Sequence, residues 1–205
     1  MLRLPFRSEG DLAVAAAAVD AAVAAHGVVA LPTETYYGLA VGPDDDRAVE
    51  RLFALKLRPR EKALLVVGAS LGQLEPLVRV PGVWRARLES AWPAPLTVVL
   101  PAAAAPAAAG TGRTLAVRVP ADGLLRALLA LVGPLTATSA NVSGGEALAS
   151  ADAVADALGH GLALLLDGGA TPGGLPSTLI DLMSSPPRVL REGAWVPPAA
   201  WGVRP

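Results

Sequence analysis

Apolar positions along this chain follow two rhythms, one near 3.6 residues and one of short unbroken runs. Ser8 and Asp11 open a long stretch of alanines and valines that stops at Gly27. A hydroxyl at an N-cap with a carboxylate three residues on marks a helix start, so a helix is expected to about Ala25. GVVAL, Gly27 to Leu31, is continuously apolar and bounded by breakers, the pattern of a strand buried on both faces. Asp44, Asp45 and Asp46 then introduce a second helix, because carboxylates favour its positive end. Its Val49, Leu52, Phe53 and Leu57 recur at helical spacing, and Pro59 is expected to end it. Ala63 to Val67 reads as the next strand.

Further on, Ser70 to Arg79 and Val83 to Ser90 are expected helices, separated by Pro81-Gly82. Leu96 to Leu100 is a strand. Pro101 to Gly112, PAAAAPAAAGTG, has no amphipathic pattern and reads as a flexible surface loop. Thr114 to Val119 is a strand, Asp122 to Leu131 a helix, and Leu135 to Thr138 a short strand. After the polar loop Ser139 to Gly145 come a helix over Ser150 to Leu158, capped by Ser150, and a strand over Leu162 to Leu166. A loop with four glycines leads to strands over Ser177 to Leu182 and Arg188 to Arg191. Strands alternating with helices predict a single α/β domain over residues 1–205, built on a twisted mixed sheet, with a core of about 10–193 and a tail of 194–205.

Composition narrows the function classes. The chain has 205 residues, 53% of them hydrophobic, and a net charge of −1. That is enough to bury a proper core, and the charge argues against broad adhesion to nucleic acid or anionic membrane. There is no cysteine, which removes thiolate nucleophiles, disulfides and cysteine metal sites and fits a cytoplasmic protein. The two histidines, His26 and His160, lie far apart, so a zinc enzyme or a triad with a histidine base is not indicated. Arg3 and Arg7 before an Ala-rich run resemble a secretion signal, but Glu9, Asp11 and Asp20 interrupt it, and a folded helix is expected. No charge-free apolar stretch of membrane-spanning length occurs.

The candidate chemistry is scattered. Lys56, Arg58, Arg60 and Lys62 crowd beside one acid, Glu61. Taken alone, such cations are ordinary complements of a helix C-terminus. Next to a strand entrance they also suit a triphosphate, whose charge needs several fixed donors. Arg118, among apolar strand neighbours, needs a carboxylate partner from the protein or from a ligand. TSANVSGG offers hydroxyls, an amide and free backbone N–H groups suited to anions, though these residues also make plain turns. Glu34 is a candidate general base or a solvated loop residue; Tyr36 and Tyr37 suit stacking or the core. Neither a Walker A loop nor a GxGxxG fingerprint is present. The residues alone describe an α/β protein with a polar anion-binding cleft.

PTETYYGLA, KLRPREKALLVV, WPAPLTVVL, LAVRVP, TSANVSG, PSTLIDL and LREG follow one another between about Val28 and Gly193. In that order they resemble the YrdC/TsaC family of L-threonylcarbamoyladenylate synthases, including its K-x-R and S-x-N signatures at Lys56/Arg58 and Ser139/Asn141. The resemblance implies an open twisted sheet with a concave basic groove. It implies the synthesis of threonylcarbamoyl-AMP and pyrophosphate from L-threonine, bicarbonate or carbon dioxide, and ATP. It places Thr35, Arg118, Ser139 and Ser177 around threonine, and Arg58, Lys62, Thr114, Asn141, Arg191 and Ala149 or Ser150 around ATP. Lys56 and Arg58 would act on the phosphates, with Mg²⁺ held mainly by ATP rather than by a protein metal site. A tRNA-modifying threonylcarbamoyl-transferase complex is the implied downstream partner, with weak RNA binding possible and no membrane. The chain departs from the family pattern at Val67, where some longer members carry His, and at Ala94, where PGP is common. Two other readings remain open: a carbamoyl-phosphate-dependent adenylation domain of the same fold, and an RNA-binding module using the same groove.

Overall fold

The computed structural model describes residues 1–57, 63–103 and 105–204. In chain order its strands and helices are β1 (Leu2–Pro5), α1 (Leu12–Ala24), β2 (Val29–Leu31), β3 (Gly38–Ala40), α2 (Asp46–Lys56), β4 (Leu65–Val67), α3 (Leu71–Leu74), α4 (Gly82–Ala91), β5 (Leu96–Pro101), β6 (Thr114–Arg118), α5 (Gly123–Val132), β7 (Leu135–Thr136), β8 (Thr138–Ser139), α6 (Ala151–Leu158), β9 (Leu164–Asp167), β10 (Thr178–Asp181) and β11 (Arg188–Arg191). The mixed α/β class expected from the alternation is present. The strands, however, divide into two open hydrogen-bonded sheets rather than one. The first runs β1-β9-β2-β3-β8 and the second β11-β10-β5-β6-β4-β7. The division falls inside the segment read as one short strand, Leu135 to Thr138. There β7 pairs with β4, and β8 pairs two residues later with β3.

Period-two alternation decides what each sheet face meets. In the first sheet both faces are covered. Val29, Leu31, Leu164 and Leu166 point into a cluster with Phe6, Val19, Leu125 and Leu129, while Ala30 and Leu165 point into the larger core on the other side. Helices α1 and α5 supply that first cluster, which is why both read as strongly apolar. The second sheet is covered along its whole length on one face only; on the other, Val67 of β4 and Leu135 of β7 join the first cluster and the rest is open. Leu96, Val98, Leu100, Leu115, Val117 and Ile180 enter the larger core. Their alternates Thr97, Ala116, Arg118 and Leu179 face the opposite way, into the cleft described below.

Several boundaries differ from the pattern-based expectation. Helix α2 stops at Lys56 because Leu57 turns left-handed (φ 49°), two residues before Pro59. Helix α3 is a single turn after the Ser70 cap, not a helix to Arg79. The Ala/Pro stretch is not a loose surface loop. Ala107–Ala109 forms a 3-10 turn whose Ala108 and Ala109 are buried, with Ala108 N donating to Pro43 O and Leu64 N to Ala108 O (both 2.8 Å). Strands β1 and β3 were not expected. β1 carries three exposed residues, one of them a proline, and its pairing with β9 spans the chain, beyond any local pattern. Among the described residues no helix is long and apolar enough to cross a membrane.

Candidate active site

The uncovered part of that face of the second sheet forms the floor of a cleft of about 580 Å³. The segment between β2 and β3 makes one wall. There Thr33 Oγ1 donates to Tyr36 O (2.7 Å) and accepts from Thr35 N (3.2 Å), so one threonine folds PTETYYG into a tight turn. The glycine-rich connection after β9 lies over this turn, with Gly173 N donating to Thr35 O (2.7 Å) and Tyr36 OH to Gly174 O (3.3 Å). Tyr37 is buried, its hydroxyl donating to Gly169 O (2.8 Å) and accepting from Gly168 N (3.0 Å). Tyr37 is thus a buried residue that ties two loops together, and both tyrosines are among the residues lining the cleft.

The opposite wall is the loop after β8. Ser139 Oγ donates to Asn141 Oδ1 (2.5 Å), and Asn141 Nδ2 donates to Gly145 O (2.6 Å). Lys56, at the end of α2 and only 2% exposed, reaches across to this loop. Its Nζ donates to Ser139 O, to Asn141 O (2.7 Å) and to Asn141 Oδ1 (3.2 Å), and its carbonyl accepts from Ser143 N (2.8 Å). Lys56 of the K-x-R signature and the S-x-N residues Ser139 and Asn141, far apart in sequence, thus meet as one hydrogen-bonded unit. The loop's backbone is held by a buried cation rather than by regular structure.

On the floor, Arg118 lies fully within the protein with its Nη1 3.3 Å from Glu34 Oε1. Burial pushes this guanidinium below the usual arginine range; Glu34 opposes that shift, and the neighbouring Arg191 adds to it. Arg191, at the end of β11, donates from Nε and Nη2 to Ser177 O (3.2 and 2.9 Å) and from Nη2 to Ser177 Oγ (3.2 Å). Desolvation lowers its pKa too. The Ser177 hydroxyl also meets Thr97 Oγ1 at 2.8 Å. Two cations, hydroxyls and open backbone make a lining suited to a carboxylate or phosphate.

Of the residues singled out in the sequence, Thr35, Arg118, Ser139, Asn141, Ser177 and Arg191 line this one cleft. Thr114 and Ser150 are not among the lining residues. Thr114 starts β6 opposite Pro101, and Ser150 Oγ is engaged as the N-cap of α6, accepting from Ala153 N (3.2 Å). Arg58 and Lys62 lie outside the described residues. Thr33 and Thr97 line the cleft but were not identified from sequence; in Thr97 the only cue was a hydroxyl in the otherwise apolar LTVVL. Val67 pairs in register with Arg118 and is fully buried among apolar side chains. This position, where the sequence departs from the family resemblance, therefore carries no polar group.

The fold and cleft define an open α/β protein with a buried arginine on a sheet face, walled by a hydroxyl-rich turn and a lysine-braced loop, a lining suited to small anions. Residues 21–193 match the Sua5/yciO/yrdC family, described as telomere recombination, and the chain belongs to that family. It is similar to the threonylcarbamoyl-AMP synthase of Pyrococcus abyssi, 41% identical over 170 residues that cover 81% of this chain and 50% of that protein. The chain therefore spans about half the length of that relative. It is also similar to the threonylcarbamoyl-AMP synthase of Vibrio vulnificus, 37% identical over 172 residues, covering 81% of this chain and 91% of that one. The crystal structure of P. abyssi Sua5 complexed with L-threonine superposes with a TM-score of 0.83 at 36% identity, covering 94% of this chain and 57% of that one.

Proposed function

We propose that this chain is an L-threonylcarbamoyladenylate synthase, a nucleotidyltransferase. It would convert L-threonine, bicarbonate or carbon dioxide, and ATP into threonylcarbamoyl-AMP and pyrophosphate. The product would pass to a tRNA-modifying threonylcarbamoyl-transferase complex, which modifies the adenosine beside the anticodon. The observation that carries this reading is the convergence on one cleft of Thr35, Arg118, Ser139, Asn141, Ser177 and Arg191, drawn from both sheets.

In this mechanism the threonine amine captures carbon dioxide as a carbamate, and a carbamate oxygen attacks the α-phosphorus as pyrophosphate leaves. The attacking group belongs to the substrate, so the protein's part is positioning and charge stabilisation. Arg118 takes the amino-acid carboxylate, and Thr35, Ser139 and Ser177 offer hydroxyls around the rest of it. Asn141 and Arg191 would face the nucleotide, and Arg58 and Lys62, which lie outside the described residues, are the cations the family resemblance assigns to ATP. Lys56 holds the loop that carries Ser139 and Asn141. Among the described residues no group of three or more His, Asp or Glu is placed to hold a metal. The lining donors suit anions, so Mg²⁺ would enter with ATP as part of the substrate.

The test is product analysis with ATP, L-threonine and bicarbonate, each omitted in turn. Threonylcarbamoyl-AMP should form, and pyrophosphate release should require all three. Release that ignores threonine would overturn the reading.

A further inference from the structure

The turn at Thr33–Thr35 splits its side chains between two sides. Thr33 and Thr35 line the cleft, whereas Glu34 between them does not. Its carboxylate lies in the interior instead, with Oε1 3.3 Å from Arg118 Nη1; the Glu34 side chain is 14% exposed and that of Arg118 6%. The contact is an ion pair without good hydrogen bonds. Both Glu34 oxygens and Arg118 Nε are buried with no hydrogen-bond partner among the described residues. A well-made arginine–carboxylate pair is bidentate, and a buried pair this incompletely bonded is poor at offsetting its own desolvation. Arg118 thus has a counter-charge on one side, the cleft on the other, and a second cation, Arg191, close enough to disfavour its charge.

We propose that Glu34 is a positioning residue for Arg118, whose carboxylate balances the guanidinium from behind the cleft wall and limits how tightly the cleft holds the carboxylate of its amino-acid substrate. This rests on the synthase reading above. With the cleft empty, Glu34 supplies the counter-charge that burial of Arg118 demands. When a substrate carboxylate reaches Arg118 from the cleft side, two carboxylates share one guanidinium and repel each other through a low-dielectric wall. Glu34 therefore weakens amino-acid binding while supporting the fold. A purely structural role would not produce that combination.

The experiment is a cycle on the intact chain with Glu34→Gln, Arg118→Met and the double variant, read by calorimetric titration with L-threonine and by thermal unfolding. Glu34→Gln keeps shape and an acceptor but removes the charge. It should bind L-threonine roughly tenfold more tightly and lower the KM for threonine while leaving that for ATP unchanged. Binding of L-threoninamide, which lacks the carboxylate, should not change. In the Arg118→Met background the Glu34 substitution should have no effect on threonine binding. Glu34→Gln alone should lower the melting temperature, and the double variant should recover it. If Glu34→Gln does not fold, Glu34→Asp, which draws the charge back by one methylene, should shift threonine binding in the same direction by a smaller factor. Unchanged or weaker threonine binding in a folded Glu34 variant would overturn the proposal. If the unaltered chain binds no L-threonine, the synthase reading fails instead; the unfolding cycle then decides the pairing alone, and its absence of coupling would overturn it.

Discussion

Lys56 commits its ammonium to the protein's own carbonyls. With three acceptors around Nζ on the Ser139–Asn141 loop and 2% exposure, it works as a brace. Lys56→Met should therefore act on fold and chemistry together. Leaving buried acceptors unpaired should cost about 1–3 kcal/mol, and the loosened loop should cut pyrophosphate release about 100-fold. Thermal unfolding and a turnover assay on the same preparation check both. The sequence made Lys56 visible as a cation near a strand but not its direction, because the lysine and its acceptors are 83 and 85 residues apart. Arg118 was more legible, since a lone arginine in an apolar strand demands a partner. That the partner is Glu34, one residue from the expected Thr35 contact, depends on a turn set by Thr33 and shows only in three dimensions. Gly193, last in LREG, is a further case. A Cβ there would fall 2.2 Å from Pro176 O and 2.5 Å from Thr178 N, both backbone atoms. Gly193→Ala should push β11 from Ser177, break the Arg191 contacts to it and lower turnover, while Arg188→Ala on the same strand, exposed, should not.

At the scale of elements, helix starts were the most readable features because their caps are local chemistry. Asp45 caps α2, accepting from Ala48 N (3.1 Å), and its other oxygen lies 2.7 Å from His26 Nδ1. Burial by itself would raise this carboxyl's pKa, but the His26 contact and the backbone donors outweigh it and lower the value below 3.8. A depressed carboxyl contributes stability above its unfolded value and loses that contribution as pH falls through the lower folded value. Asp45→Ala should thus cost about 1 kcal/mol at neutral pH, and the difference from the unaltered chain should vanish as acid protonates Asp45, below pH 3.8. Chemical denaturation across that range checks it. Helix ends and loops were less legible. Nothing local requires Leu57 to turn left-handed, and the alanines of 101–112 look featureless because Ala108 gains its role from Pro43 and Leu64, far away in sequence.

For the molecule as a whole, the alternation of strands and helices disclosed the class but not the split into two sheets, because that split occurs across a single residue, Ala137, between β7 and β8. Nor did the Trp/Pro-rich tail announce its place. Trp201, 7% exposed, meets Trp84 of α4 edge-on at 5.3 Å and Trp195 at 5.0 Å between ring centroids. Trp195 is in turn tied to β10, its carbonyl accepting from Thr178 Oγ1 (2.5 Å) and its N–H donating back to the same oxygen (3.1 Å). Thr178 follows Ser177, the residue on which Thr97 and Arg191 converge. The tail therefore closes the larger core and buttresses the strand that enters the cleft. Trp201→Ala should lose about 3–5 kcal/mol by opening a cavity beneath Trp84, read as a lower urea midpoint. Under native conditions the KM for the amino acid should rise more than that for ATP, since the disturbance reaches the cleft through Ser177. Equal changes in both would place the coupling elsewhere.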